Sequence, residues 1–351
     1  MRVDIIGGGI IGASTAYHLA KEGVFVRVFE KDKLYNEASF GRSCGGLRAQ
    51  FSTKENILMS RYSIDFIKNQ TSVAFRPNGY LMLFGKEQAK DCNQAFFLQK
   101  LMGASTKLYT PARLKKAYPL LYTGDLHLAT FTDDQSEGWI DPYELHRWFM
   151  LQARRMGVEY VYEDGIDRAD AEKVVIASGC WSAKVGRHYG IEIPVKGHKH
   201  TVYKITPEQP AFFTWPLIAD LTTGVYFRPE GNGYIVGYDG NGNWDAENLD
   251  PDLMHFETVW EKLYHRSPVA FEAIKMNSAW AGYYDSCTLD SNAIIDHVGD
   301  VYFATGFTGR GLMHSPAVGM SLTEMILGKP QSIQLHAYRL NREPNIEKFV
   351  I

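Results

Sequence analysis

The 351-residue chain has few cysteines, and no two of them form a recognisable pair. Its four cysteines stand singly and no CxxC occurs, so neither a disulfide framework nor a zinc knuckle is expected. No sign of charge dominates, because 37 Lys and Arg residues are balanced by 40 Asp and Glu residues. The net charge of −3 argues against a nucleic-acid-binding protein and against a polybasic membrane-surface protein.

Long apolar runs are also missing. No stretch reaches the ~18 apolar residues that a membrane span needs, and no basic, apolar leader precedes the strand expected from Val3. We therefore expect no membrane span and no signal peptide, and the single cysteines favour a cytoplasmic protein with reduced thiols. The chain does have 45% hydrophobic residues, enough for a proper core, and a length that allows two domains.

The first thirty residues predict a dinucleotide-binding unit. A short apolar run, Val3–Ile6, precedes the turn Gly7-x-Gly9-x-x-Gly12. A helical pattern and a second apolar run, which ends at Glu30, follow it. In this arrangement the first glycine makes a tight turn, the second admits a diphosphate, and the third lets helix and strand pack closely. The helix N-terminus attracts the diphosphate, and Glu30 can accept hydrogen bonds from both ribose hydroxyls while repelling a 2′-phosphate. FAD or NAD is therefore favoured over NADP.

The rest of the chain mixes helical and strand patterns. Asp141 followed by Pro142 predicts a helix start. Alternating runs after residue 200 predict antiparallel strands, and residues 252–275 predict a helix. A strand at Val301–Ala304 precedes a glycine-rich loop and a last helix. Because no repeat and no linker is found, the domains are expected to interleave.

Four blocks of the sequence resemble the D-amino acid oxidase superfamily of FAD-dependent amine oxidoreductases, over nearly the whole chain. Within it the chain is similar to sarcosine oxidase, dimethylglycine dehydrogenase and the β-subunit of dye-linked proline dehydrogenase, and also to an FAD-dependent factor of complex I assembly. The blocks are the N-terminal unit, Arg42–Arg48, Gly138–Pro142 with Ala177–Ser182, and Asp290–Asp296 with Gly306–Pro316.

The resemblance implies an α/β (α+β) fold with two interleaved domains. A Rossmann-like FAD-binding domain of the glutathione-reductase type would take residues 1–75, 139–198 and 278–351. A mixed-sheet substrate domain would take residues 76–138 and 199–277.

The resemblance also implies which residues contact FAD. The small residues after Arg42 would lie along the ribityl chain and the flavin, and the loop before the last helix would present N–H groups to the reduced ring, with Arg310 adding a positive charge. The expected cofactor-binding residues are Gly7, Gly9, Ile10, Ile11, Gly12, Glu30, Lys31, Arg42, Ser43, Gly45, Gly46, Leu47, Arg48, Ile166, Ser178, Gly179, Trp181, Gly306, Gly309, Arg310, Gly311, Leu312 and Met313.

Two features depart from monomeric sarcosine oxidase. The cysteine that attaches its flavin matches about Tyr283 here, and Cys287 is offset, so FAD is expected to be non-covalent. The arginine and lysine that hold its substrate carboxylate match about Gln50 or Phe51 and Met313, so the simple carboxylate clamp is missing. Candidates for the substrate pocket are the arginines Arg48, Arg228 and Arg310 and the ring side chains Tyr226, Tyr283, Tyr284 and His314.

His198 and His200 would share one face of a strand, but no third ligand accompanies them, so no metal site is expected. The resemblance implies oxidation of the C–N bond of a small amino acid or secondary amine, which is sarcosine-, D-amino acid- or proline-like, by hydride transfer to flavin N5. No side chain is assigned as an obligate catalyst. A 2-hydroxy acid oxidoreductase and a flavin-binding assembly or partner protein with little turnover are the alternatives, and partner subunits or a homo-oligomer remain open.

Overall fold

The computed structural model describes residues 1–132, 134–208, 214–238, 240, 242–244 and 248–350. Its helices are α1 (Ile10–Lys21), α2 (Lys54–Gln70), α3 (Ala89–Leu101), α4 (Pro111–Ala117), α5 (Pro142–Arg155), α6 (Ser182–His188), α7 (Phe256–Arg266) and α8 (Gly311–Ile326). Its strands are β1 (Arg2–Ile6), β2 (Phe25–Phe29), β3 (Gly46–Leu47), β4 (Tyr80–Phe84), β5 (Lys107–Tyr109), β6 (Leu128–Phe131), β7 (Gly138–Trp139), β8 (Glu159–Val161), β9 (Lys173–Ile176), β10 (Val195–Pro207), β11 (Leu217–Asp220), β12 (Val225–Glu230), β13 (Gly233–Tyr238), β14 (Ile274–Cys287), β15 (Ile294–Val298) and β16 (Val301–Thr305).

A six-stranded sheet carries the N-terminal unit, in the order β15-β16-β9-β1-β2-β8. All neighbours in it are parallel except β15 and β16. The strands are apolar on both faces, as expected of a sheet covered on both sides. Val3 and Ile5 join the cluster that includes α1 and α8, whereas Ile6 and Ile176 join a cluster on the opposite face. The carboxyl ends of β1, β9 and β16 therefore meet at one edge, where open α/β sheets place their ligands.

An eight-stranded sheet forms the second layer, in the order β14-β10-β13-β12-β11-β4-β6-β5. It is antiparallel except where β4 runs parallel to β11. One face packs with α7 around Tyr203, Phe227 and Phe271. Tyr80 and Tyr226 lie on the other face of this sheet. This second face becomes a wall of the candidate site.

The long strands β10 and β14 pair along their whole length. Each of them runs across a predicted domain boundary, at residues 198 and 278 respectively. The strands of the six-stranded sheet all lie within the three segments expected for the FAD-binding domain. The division into two domains stays a prediction.

The start of α5 was predicted correctly from the sequence, whereas the end of α7 was not. Asp141 caps α5 as predicted, because its Oδ1 accepts the N–H of Tyr143 at 2.8 Å. The helix predicted over 252–275 is too long, since α7 ends at Arg266. Pro268 stands two residues beyond, where it cannot continue a helical hydrogen-bond ladder. Among the helices that the structure describes, none combines the length and the apolarity required to cross a membrane.

A buried charge cluster ties α7 to the eight-stranded sheet. The fully buried Arg266 donates from Nε to Asp220 at 2.7 Å and from its two terminal nitrogens to Asp125 at 2.9 and 3.0 Å. Arg266→Ala would leave the buried Asp220 carboxylate without its charge partner. We expect the free energy of unfolding to fall by about 3–5 kcal/mol. Urea unfolding measures this, with the exposed Arg155→Ala as a control that changes it by less than about 0.5 kcal/mol. A loss of under 1 kcal/mol for Arg266→Ala would contradict the assignment.

Candidate cofactor and substrate cleft

A deep cleft lies between the carboxyl edge of the six-stranded sheet and one face of the eight-stranded sheet. It encloses about 2040 Å³ of empty space, its open mouth included. Its lining runs from Glu30, at the end of β2 in the six-stranded sheet, to Tyr226 on β12 in the eight-stranded sheet, so the cleft extends along both layers.

Each glycine of the turn before α1 is needed for a different reason. Gly7 has a φ of +105°, and a side chain there would overlap the Ala177 carbonyl. A side chain on Gly12 would overlap the carbonyl of Gly7 itself. A Cβ on Gly9, in contrast, would meet no atom of the protein within 4 Å. Gly7 and Gly12 are thus required by the protein's own packing, whereas Gly9 keeps open a space in the cleft.

Two helix N-termini reach the same cleft. Helix α1 begins after Gly9, and α8 begins after Arg310. Neither has a side-chain cap or an acidic residue in its first turn. First-turn N–H groups and the positive end of the helix dipole favour a bound anion. The cleft therefore offers one anion-binding end at α1 and another at α8.

Glu30 is fixed at the end of β2. Its Oε2 accepts the N–H of Gly8 at 2.8 Å, and its Oε1 accepts the N–H of Asp32 at 2.8 Å. Burial raises the pKa of this carboxyl above its usual value, and the two backbone donors oppose that shift. Both oxygens keep lone pairs for further donors, as two ribose hydroxyls require.

The segment after Arg42 lines the cleft with only some of its residues. Gly45 and Leu47, two of the expected FAD contacts, do not line the surface of the cleft. The α-carbon of Gly45, at a φ of +75°, packs against the Ile140 carbonyl, and Leu47 is completely buried in the core. Their role is to place the neighbouring backbone. The residues of this segment that line the cleft are Arg42, Ser43, Cys44, Gly46 and Arg48.

Arg48 is a buried cation on the cleft wall, with 4% of its surface exposed. Its guanidinium donates to the backbone carbonyls of Gln50 and Phe349 and lies 4.0 Å from the ring centre of Phe51. No carboxylate of the described residues forms an ion pair with it. Burial lowers the pKa of this guanidinium below its usual value.

Arg310 is the second buried cation on the wall. Its Nη2 donates to the Ser291 carbonyl, and its Nη1 has no hydrogen-bond partner in the described part of the chain. Its guanidinium carbon lies 6.0 Å from the same Phe51 ring. In the described residues no carboxylate lies within ion-pairing distance of either arginine, although the charge of the buried Glu347 acts on both. Two buried cations on one cleft wall attract an anionic ligand.

Two of the expected pocket residues lie elsewhere. Arg228 lies on the same face of β12 as Tyr226 but does not line the cleft, because its Nε donates to the Cys44 carbonyl at 2.8 Å and its Nη1 pairs with Glu230. His314 is buried between helices, with Nε2 at 2.9 Å from the Ser60 hydroxyl. Neither residue lines the cleft, which corrects the expectation for both.

Most of the other expected residues come together. Gly12 and Gly306 join Gly45 and Leu47 behind the surface, where close backbone packing requires a small residue at Gly12 and Gly306. The residues that do line the cleft are Gly7, Gly9, Ile10, Ile11, Glu30, Lys31, Ile166, Ser178, Gly179, Trp181, Gly309, Arg310, Gly311, Leu312, Met313, Tyr226, Tyr283 and Tyr284, in addition to the segment described above.

Three residues of the cleft were not predicted from the sequence. They are Tyr80, Asp285 and His200, the last of which was considered only as a metal ligand. Asp285 accepts the N–H of Gly306 at 2.9 Å, and burial raises the pKa of its carboxyl to about 6. All three side chains line the cleft. The spacing of Asp285 two residues after Tyr283 on one strand was the available signal, because alternate strand residues share a face.

The paired histidines lie on one face of β10, as predicted. Nε2 of His200 is 3.0 Å from Nδ1 of His198, so the two rings share a hydrogen bond. In the described part of the chain, no group of three or more metal-ligating side chains is found.

A parallel sheet with a glycine turn, a fixed acidic residue after its second strand and two helix N-termini on one cleft define a dinucleotide-binding oxidoreductase. The family described as "DAO: FAD dependent oxidoreductase" matches residues 2–325. "FAD-dependent oxidoreductase domain-containing protein 1" of Xenopus laevis is 32% identical, over 99% of this chain and 84% of that protein. The chain belongs to the DAO family of FAD-dependent oxidoreductases.

Other similar proteins agree with this assignment. The crystal structure of L-proline dehydrogenase from P. horikoshii superposes with a TM-score of 0.88 at 28% identity, covering 98% of this chain and 99% of that one. Mitochondrial dimethylglycine dehydrogenase of Rattus norvegicus is 26% identical over 93% of this chain but only 43% of its own length.

The residues on the cleft fit the FAD that this family uses. The space above Gly9 and the uncapped start of α1 suit the diphosphate, and Glu30 suits the ribose. The uncapped start of α8 and the unpartnered Nη1 of Arg310 suit the negative charge of a reduced flavin.

Proposed function

We propose that this chain oxidises the C–N bond of a small amino acid or secondary amine, which is sarcosine-, D-amino acid- or proline-like, with non-covalently bound FAD. When bound, FAD supplies at its N5 atom the acceptor for the hydride equivalent that leaves the substrate's Cα–H bond. The chain itself binds and orients the amine, excludes water and neutralises the carboxylate.

The observation that carries this proposal is the buried Arg48 on the cleft wall, which has no carboxylate within ion-pairing distance in the described residues. A guanidinium suits a carboxylate because it donates two parallel hydrogen bonds. The adjoining wall is small and mostly apolar, with the rings of Tyr80 and Tyr226 beside Leu217 and Ala219. A carboxylate at Arg48 and a short aliphatic body against this wall match a small amino acid.

The names of similar proteins favour the amine over the 2-hydroxy acid alternative. Dimethylglycine dehydrogenase, sarcosine dehydrogenase and L-proline dehydrogenase are each named for an N-substituted amino acid.

The test begins with an absorbance scan of the purified protein for bound flavin. N-methyl, D- and cyclic amino acids are then added one at a time without oxygen, beside a parallel set of 2-hydroxy acids, while the flavin band near ~450 nm is followed. We expect bleaching by at least one amino acid and by no hydroxy acid. Bleaching by hydroxy acids alone would replace the proposal, and a flavin that no compound reduces would favour a flavin-binding partner protein.

Non-covalent attachment gives a separate prediction. Cys44 is the single cysteine among the residues that line the described cleft, and Cys287 is buried beside Asp290 and Arg342. Tyr283 stands where a covalent flavin would need a thiol. We expect acid precipitation to leave all the flavin in the supernatant, and Cys44→Ser to release the same amount. A yellow pellet that loses its colour in Cys44→Ser would contradict this.

A further inference from the structure

We propose that His200 and His198 form a proton relay that carries a proton from an ammonium substrate in the cleft to water. The inference rests on the proposed function, because it concerns the proton that an amino acid must lose before its oxidation. It gives a role to two histidines that neither a metal nor the cofactor explains.

The relay has an inner end and an outer end. His200 is 6% exposed and lines the cleft, whereas His198 is half-buried. The two side chains are on the same face of β10 because alternate strand residues share a face. The 3.0 Å contact between Nε2 of His200 and Nδ1 of His198 joins the two ends.

Aromatic stacking holds both rings in the hydrogen-bonding orientation. The His200 ring stacks on Tyr284 with centroids 4.2 Å apart, and Tyr284 also lines the cleft. The His198 ring stacks on Trp244 with centroids 4.0 Å apart and an interplanar angle of 7°. Trp244 is 46% exposed, so the outer ring sits at the surface.

The inner ring has one nitrogen to offer to a substrate. His200 uses Nε2 for His198, and within the described residues its hydrogen bonds reach no other side chain. Nδ1 is therefore available to a donor in the cleft. Burial, and after it the neighbouring His198, lowers the pKa of His200 to about 3, so the ring rests neutral. A neutral imidazole has one donor and one acceptor nitrogen, as a relay requires.

The proton balance is simple. At neutral pH an amino acid arrives with a protonated nitrogen, and its lone pair is needed before the hydride can leave Cα. One substrate N–H bond breaks as Nδ1 of His200 gains a proton. The proton on Nε2 passes to Nδ1 of His198, and His198 releases to water the proton of its Nε2, which lies against the backbone of Gly242. After the imine is hydrolysed, transfer in the opposite direction gives a proton to the released amine and restores both tautomers.

Substitution of the inner histidine is the direct test. In His200→Gln we expect the rate of flavin reduction by the amine to fall about 100-fold, since proton transfer by a placed side chain contributes 10²–10⁴-fold. The flavin spectrum and melting temperature report whether the variant is folded. If it binds no flavin, His198→Gln carries the same test with an expected loss of about 10-fold. The exposed His297→Gln, outside the cleft, serves as the matched control and should match wild type.

Two readouts distinguish a relay from a structural role. Added imidazole should restore the reduction rate of His198→Ala, because the outer site is reached from solvent. Calorimetry in two buffers of different ionisation enthalpy should count about one proton released when 2-aminoisobutyrate binds, since this amine has neither a Cα–H bond nor an N-methyl group and cannot be oxidised by hydride transfer. His200→Gln should bind it with no proton release.

The outcomes separate the two proposals. Wild-type protein that is reduced by an amine, with His200→Gln and His198→Gln reduced equally fast, overturns the relay and leaves the proposed function intact. Wild-type protein that no amine reduces overturns the proposed function, and the relay with it.

Discussion

Gly9→Val is expected to abolish FAD binding while leaving the apoprotein as stable as before. Gly9 has an extended backbone, with a φ of −61° and a ψ of −171°, which any residue can adopt. A Cβ there meets no protein atom within 4 Å, so the branch point of the new side chain causes no clash. The same side chain fills the space that the diphosphate needs beside the start of α1. We expect the affinity for FAD to fall by at least about 100-fold, equivalent to about 2.8 kcal/mol.

Gly12→Val is the matched comparison, because its side chain would overlap the Gly7 carbonyl inside the protein. This variant should lose both FAD binding and thermal stability. FAD titration of the apoprotein and thermal unfolding without cofactor measure the two effects separately. If Gly9→Val binds FAD like wild type, the diphosphate does not lie at this turn, and the site has been misplaced.

The contrast between these two glycines shows what a sequence can predict. The turn depends on residues close together in the chain, so its spacing predicted strand, turn, helix and Glu30 correctly. The cap of Asp141 on α5 is local in the same way. Both features depend on backbone sterics and short-range hydrogen bonds, which the residue types themselves specify.

The expectations for His314 and Arg228 differ from the structure because both residues lie in elements that are buried on both sides. In such elements the spacing of apolar residues does not show which way a side chain points. Helix α8 is buried around most of its circumference, so its apolar spacing does not reveal that His314 faces α2 and Ser60. Strand β12 is buried on both faces, and nothing in its sequence shows that the Arg228 guanidinium is held by the Cys44 carbonyl and Glu230. The direction of these side chains is decided by elements distant in sequence.

The cleft residues Asp285 and His200 were missed for the same reason, because their positions depend on elements that are distant in sequence. His200 lies on β10 and Asp285 lies on β14. The register in which these two strands pair joins residues about 80 positions apart, such as His200 and Gly282. A prediction from sequence would need this register, because a slip of one residue moves every side chain to the other face. The long strands also cross the domain boundaries that the resemblance implied.

Arg48→Met is expected to slow flavin reduction by the amine substrate about 100-fold, with a raised KM, while FAD stays bound. The guanidinium is placed where negative charge from a substrate carboxylate or a reduced flavin must be stabilised, and removal of one such donor costs about 10²–10³ in rate. Fold stability should change little. The buried charge costs desolvation energy and has no ion-pair partner, so an apolar side chain of similar length is often neutral or stabilising.

Arg48→Met also has opposing costs, because Arg48 lies over the Phe51 ring and its charge acts on the buried Glu137 and Glu347. The carbonyls of Gln50 and Phe349 lose their donor, at about 1 kcal/mol each. Arg228→Met provides the matched control, since Arg228 is equally buried but pairs with Glu230 behind the wall. It should lower stability and leave the reduction rate within a few-fold of wild type. Stopped-flow reduction and urea unfolding of both variants therefore separate the two arginines. If Arg48→Met is reduced as fast as wild type, the anion in this cleft is held elsewhere, and Arg310, with its unpartnered Nη1, becomes the side chain to substitute next.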